Sequence, residues 1–242
     1  MAQRGIQSVE VGGRLLLALA EAGRPMPLKD LAQAAGMPAA KAHPYLVSFG
    51  KLGLIVQDGA SGHYGLGPLA MQLGLISLQQ FDPIRLATER LPELARAVGH
   101  TVAIAVWGER GPTIVRVEEA PTAVHVAMRH GAVMSVRGTA SGRVFAAHLP
   151  RAALRAAGAG TLDAAFEAEL EAVRAQGFSS AVDAAVPGVS GLAAPVFAGG
   201  RIVLALTAIG PSASFDVGAR GAPAAALRDA ARALTAALGT AS

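Results

Sequence analysis

The apolar residues of this chain change their spacing once, near residue 100, and that change limits the fold more than any other feature. Before it, apolar positions recur at intervals of three and four, the period of helices packed on one face. From Thr101 the segments "TVAIAVW", "TIVRVEEA" and "AVHVAMR" run in short apolar or alternating stretches separated by Gly and Pro, which reads as three strands. A helical part followed by a sheet with helices predicts an α+β chain of two domains. The 242 residues suffice for both, and 52% hydrophobic against 16% charged residues excludes a disordered chain.

Within the helical part, Val11, Leu15, Leu16 and Leu19 mark a helix over residues 8 to 22 that stops at Gly23 and Pro25. "PLKDLAQAAG" places Leu28, Leu31, Ala32 and Ala35 on one face of a short second helix ending at Gly36. A third helix follows at once, with Ala42, Leu46, Phe49 and Leu52 sharing its inner face. "LIVQDGASGHYGLG" then reads as a β-hairpin turning at Asp58-Gly59 and Ser61-Gly62. Three helices and a hairpin make a winged helix-turn-helix, whose third helix enters the DNA major groove while the wing lies near the phosphates. The candidate DNA contacts are Lys29, Lys41, His43, Tyr45, Ser48, Lys51 and, on the wing, His63.

Pro44 stands in the middle of that third helix. A mid-helix proline removes a hydrogen bond to the carbonyl four residues back and costs about 3 kcal/mol or bends the helix. Two outcomes are open: a bend near Ala40, or a late start with Pro44 as the first helical residue.

The net charge of +4 permits a polyanionic partner without requiring one. The absence of cysteine excludes a disulfide scaffold, thiolate zinc sites and a cysteine nucleophile, and fits a reducing compartment, so a cytoplasmic protein is expected. The apolar run from Leu15 to Ala20 is too short for a signal peptide, and Ile202 to Gly210 is half a membrane span and reads as a buried strand. The six histidines, His43, His63, His100, His125, His130 and His148, lack metal-ligand spacing, and there is neither a Gly-x-Ser-x-Gly elbow nor a phosphate-binding Gly-x-x-x-x-Gly-Lys run. No enzyme, no metal and no cofactor is expected.

The stretch "LKDLAQAAGMPAAKAHPYLVSFGKLGLIVQDGASGHYGLGPLAMQLG" resembles the N-terminal domain of the isocitrate-lyase-regulator (IclR) family of bacterial transcription factors. "GTASGRVFAAHLP" resembles that family's Gly-Thr-Ala-Ser-Gly segment before a helix, and "VPGVSGLAAPVF" with "RIVLALTAIGP" its closing strands, so the resemblance covers nearly the whole chain. It implies a winged helix-turn-helix over residues 1–67, a linker helix over 68–82 and a GAF-like effector-binding domain with an antiparallel sheet over 83–242. It also implies a basic residue where this chain has Pro44, and a Ser or Thr near Ala39 or Ala40; both departures weaken or alter the expected DNA reading.

Beyond the linker, residues 140 to 156 and 161 to 176 read as helices, Phe178 to Val182 as a strand, 191 to 210 as a hairpin turning at Gly199-Gly200, and Leu227 to Leu238 as a closing helix. In "RGTASGR" the small residues Thr139, Ala140, Ser141 and Gly142 either cap a helix or let its N-terminus approach a carboxylate. The resemblance favours the second and adds Ser190, Gly191 and Thr207 from the closing strands. Trp107 and Met128 form an apolar wall or plain core. Ala184 and Ala185 stand where relatives carry an acidic residue, which implies a more apolar or aromatic acid. The expected partners are operator DNA, a small organic acid and further copies of the chain, as a homodimer or dimer of dimers, because Leu73, Leu75, Ile76 and Leu78 in the linker need cover. The expected function is a ligand-responsive transcriptional regulator; the alternative is a small-molecule sensor whose DNA-binding domain is impaired by Pro44.

Overall fold

The computed structural model describes residues 5–79, 82–120, 122 and 126–239. The chain divides into two compact units, residues 1–80 and 81–242.

The first unit holds helices α1 (Gln7–Ala22), α2 (Leu28–Ala34) and α3 (Ala39–Lys51), a hairpin of β1 (Ile55–Gln57) and β2 (Tyr64–Leu66), and helix α4 (Pro68–Gln79). Leu15, Leu19, Leu31 and Leu46 meet in its centre, each no more than 2% exposed. Ile55 pairs with Leu66 across the hairpin, and Met26 exchanges backbone hydrogen bonds of 2.9 and 2.8 Å with Tyr64, which ties the turn before α2 to the wing. Leu52 departs from the expected inner face. It follows the last residue of α3, where the chain leaves the helix, and it is exposed.

Helix α3 runs through Pro44. It begins at Ala39, so the late start does not occur, and Pro44 sits in the second turn. Pro44 faces solvent, where water can satisfy the carbonyl of Ala40 that loses its usual donor. The Ser48 hydroxyl donates to the Pro44 carbonyl at 2.9 Å. Helix α4 is exposed along residues 71–77, including Met71, Leu73, Leu75 and Ile76.

The second unit holds α5 (Asp82–Val98), β3 (Thr101–Gly108), β4 (Gly111–Glu118), α6 (Ala140–His148), α7 (Arg151–Ala156), α8 (Ala164–Gln176), β5 (Ser179–Val182), β6 (Val189–Ala198), β7 (Arg201–Pro211) and α9 (Ala222–Gly239). The five strands form one antiparallel sheet in the order β4-β3-β7-β6-β5. The turn between β6 and β7 uses Gly199 and Gly200, both at positive φ (54° and 72°), as a tight hairpin requires.

Strand alternation gives the sheet two unlike faces. Val102, Ile104, Leu192, Val196, Leu204 and Leu206 pack against α5 and α9 through Leu91, Leu94, Leu227 and Leu234. On the other face, Ala103, Ala105, Ala193 and Ala205 lie under Val144, Phe145 and Ala146 of α6 and their neighbours from α8. The second face is built from small residues, so α6 lies close to the sheet.

Three expectations are corrected here. Residues 126–129 are not a strand, and the rest of that expected strand, residues 123–125, lies outside the described residues. The helix expected over 140 to 156 is two helices parted at Leu149-Pro150, because proline disfavours a helical residue before it. Helix α8 starts at Ala164 rather than 161, because the Asp163 carboxylate accepts from the Phe166 amide at 2.8 Å and fixes the cap there.

Gly142 in α6 has no room for a side chain: a Cβ there would lie 2.1 Å from the Ser135 carbonyl oxygen and 2.4 Å from that of Val136. Gly142→Ala is expected to destabilise the second unit by about 2 kcal/mol, read as a lower urea midpoint, although alanine favours helices by about 1 kcal/mol over glycine.

At the other end of α6, the His148 ring meets Phe197 edge-on at 5.0 Å, and its buried Nε2 has no hydrogen-bond partner among the described residues. Burial, and then the Arg174 charge, hold its pKa below the ordinary 6.5. As pH falls below 6.5 the unfolded chain therefore takes up this proton before the folded one, and the folded state loses stability. His148→Gln is expected to lose less of its melting temperature than the unmodified protein between about pH 7.5 and about pH 5.5, measured by thermal denaturation.

Candidate functional site

In the first unit, the exposed side of α3 carries Ala40, Lys41, Pro44, Val47, Ser48 and Lys51, which fall on one side at 3.6 residues per turn. His43 is exposed at its margin, and Lys29 is exposed on α2. Tyr45 is not on this side. It is half-buried, and its ring packs on Gly12 of α1, where a Cβ would lie 2.8 Å from it; Tyr45 is therefore a packing residue. His63 is half-buried in the wing, its carbonyl accepting from the Asp58 amide at 2.8 Å. The Asp58 carboxylate in turn accepts from the Ser61 amide and hydroxyl, both at 2.7 Å, which rigidifies the turn and holds the Asp58 pKa below the usual carboxylate range. The arrangement is a helix with a cationic, shallow outer side beside a stiff two-stranded wing.

In the second unit, the small face of the sheet leaves a cavity of about 340 Å³ at the N-terminal end of α6. Ile114, Met128, Met134 and Ile209 supply apolar walls, and Ala184, Ala185 and Val186 close one side. Of the residues expected at an effector site, Met128, Thr139, Ala140, Ser141, Ser190, Gly191 and Thr207 border this cavity. Trp107 and Gly142 do not. The Trp107 ring packs on Phe145, their centroids 5.7 Å apart, and Gly142 is buried against the 135–136 backbone.

The polar groups at the cavity have defined directions. Thr139 caps α6: its hydroxyl accepts from the Gly142 amide at 3.0 Å and donates to the Ser135 carbonyl at 2.7 Å, so its hydrogen is engaged. The Ser141 hydroxyl, 3.3 Å away, is left as the donor in that contact. The amides of Ala140 and Ser141 belong to the first helical turn, which has no intrahelical acceptors to offer them. Thr207 donates its hydroxyl hydrogen to the Leu192 carbonyl at 2.9 Å, leaving only lone pairs for anything in the cavity. Gly191 faces α6, with Ala140 Cβ 3.9 Å from the place of its absent side chain. Ser190 alternates to the other side of β6, where its hydroxyl lies 2.9 Å from that of Ser212; its neighbour Gly191, not its hydroxyl, faces the α6 side.

Arg129, at the rim, is the one charged side chain among the described residues that line the cavity, and sequence reasoning missed it. It also missed Ile209, which the two-residue alternation from Thr207 could have named. Donors among the lining of an otherwise apolar cavity suit an anionic group attached to an apolar body. Among the described residues no group of three His, Cys, Asp or Glu could hold a metal; His125 lies outside them. No helix among them is long and apolar enough to cross a membrane.

Residues 8–59 match the IclR helix-turn-helix domain, and residues 76–236 match the C-terminal domain of bacterial IclR transcriptional regulators. The glycerol operon regulatory protein of Streptomyces coelicolor is 31% identical over 202 residues, covering 80% of either chain. The crystal structure of Pseudomonas aeruginosa HmgR is 38% identical, with a TM-score of 0.63, and covers 97% of this chain and 98% of that one. An IclR homologue from Microbacterium hydrocarbonoxydans, solved in complex with 4-hydroxybenzoate, shares the fold at 20% identity and a TM-score of 0.78, over 97% and 99% of the two chains. With both of its domains matched in order, the chain belongs to the IclR family of bacterial transcriptional regulators: a DNA-binding helix-turn-helix joined to an effector-binding domain, and not an enzyme.

Proposed function

We propose that the cavity at the N-terminus of α6 binds a small carboxylic acid with an apolar or aromatic body, and that this ligand sets the DNA-binding state of a cytoplasmic homodimer or dimer of dimers. The observation that carries the reading is the cavity itself: about 340 Å³ and apolar along Ile114, Met128, Met134 and Ile209, with helix-end amides and Arg129 at its polar positions. The 4-hydroxybenzoate bound to the Microbacterium relative belongs to this chemical class. A ligand shifts such a protein only by binding two arrangements unequally, which a cavity between a helix end and a loop permits. Functional borders at residues 67 and 82 follow from the same reading, with α4 as the linker. Its exposed Leu73, Leu75 and Ile76 support self-association, since a second copy would cover them.

Lys29, Lys41, His43, Ser48 and Lys51 are the residues we assign to DNA, with His63 on the wing. Pro44, exposed between Ala40 and Ser48, puts a donor-free ring where a guanidinium would clamp a phosphate or a guanine. This favours a second reading, a small-molecule sensor with weakened DNA recognition. Enrichment of random duplexes at near-physiological salt, run on the protein and on Pro44→Arg, separates the two: a palindromic motif selected by the unmodified chain supports a working dimeric regulator, and selection by Pro44→Arg alone supports the sensor.

Calorimetric titration with 4-hydroxybenzoate tests the cavity. Saturable binding is expected, and Gly191→Val, which fills the space facing Ala140, should weaken it about tenfold or more, a loss of about 1.4 kcal/mol. Equal binding by both proteins would place the ligand elsewhere.

A further inference from the structure

The segment 184–187 forms one side of the cavity: Ala184, Ala185 and Val186 line it, and all four residues are exposed. Little apolar burial holds such a segment down, so its position depends on polar contacts at its ends. Apart from the Val189 amide, which donates to the Val186 carbonyl at 3.1 Å, these contacts converge on Asp183 and Ser212. The Asp183 carboxylate accepts from the Gly188 amide at 2.9 Å and from the Ser212 hydroxyl at 2.5 Å. The Ser212 amide donates to the Gly188 carbonyl at 2.9 Å, and the Asp183 amide to the Val189 carbonyl at 3.2 Å.

The chain of hydroxyls has one direction. A carboxylate only accepts, so the Ser212 hydrogen goes to Asp183, and the Ser190 hydroxyl at 2.9 Å must donate to Ser212. Ser190 is 2% exposed and sits in β6, so the network runs from the rigid sheet to the loop. Asp183 is also the only non-glycine at positive φ (50°) among the described residues. A left-handed residue of this kind persists where its surroundings over-determine it, and here the contacts at its carboxylate do so.

We propose that Asp183 and Ser212 are positioning residues that latch segment 184–187 over the cavity, and that breaking their contact is what opens the cavity to a ligand. This rests on the reading of the cavity as the effector site. Neither residue need touch the ligand; both act through where Ala184, Ala185 and Val186 are held.

The chain has no cysteine, so a single thiol can report opening without any ligand. Thr207→Cys places one on the cavity wall at a position 3% exposed, and its rate of modification by 5,5′-dithiobis(2-nitrobenzoate) reads access. In that background, Ser212→Ala and Asp183→Gly are each expected to speed labelling about tenfold, the loss of one hydrogen bond to a charged acceptor. Asp183→Asn, which keeps an acceptor oxygen and tolerates positive φ, and Ser214→Ala, on the exposed turn beyond, should label near the background rate. Equal rates in all proteins overturn the proposal, and so does equal acceleration in all four variants, which would mean general loosening. Protection of the thiol by 4-hydroxybenzoate is read separately: its absence from every protein counts against the effector site, while the order of labelling rates still decides the latch.

Discussion

The close contact between α6 and the sheet is the constraint on which the second unit depends. Gly142 lets the helix start hard against the backbone at Ser135 and Val136, and Ala103, Ala105, Ala193 and Ala205 let it lie low along its length. Leucines on that face would raise α6 by the depth of a side chain and withdraw its first-turn amides from the cavity. The opposite face shows the contrast. Its Leu, Ile and Val residues bury large side chains against α5 and α9, where volume stabilises and nothing has to approach closely.

The two units therefore use their residues differently. In the first, a small core of leucines supports a helix whose outer side is left for recognition, and Pro44 is tolerated because it faces water rather than that core. In the second, polar groups near the cavity are committed in fixed directions: Thr139 to the cap, Thr207 to β6, Ser190 and Ser212 to Asp183. Committed hydrogens leave little freedom to reorient, so the donors and acceptors at the cavity form a preset pattern.

Much of this was legible in the sequence because it is local. Helical spacing located Leu15, Leu31 and Leu46 in the core, and paired glycines located the β6–β7 turn. "GTASG" drew attention to α6 because small residues there either cap a helix or let its N-terminus approach a ligand, and Thr139 does cap it. Where the reading failed, a competing local effect decided: Asp163 capped α8 three residues late, Pro150 divided a helix, and Leu52 fell just past the end of its amphipathic face. Tyr45 and Trp107 have chemistry that suits ligands but neighbours, Gly12 and Phe145, that suit packing.

By itself the sequence determined the α+β class, which follows from spacing and turn residues, and its resemblance over nearly the whole chain pointed to the IclR family. The tertiary structure alone decided which hydroxyls are spent, that Ser190 turns away from α6 while Gly191 faces it, and that Asp183 meets Ser212 from 29 positions away. Those depend on strand register and on side chains brought together across the sheet, and a hydrogen bond requires a donor and an acceptor within about 3 Å, a distance that sequence separation does not encode.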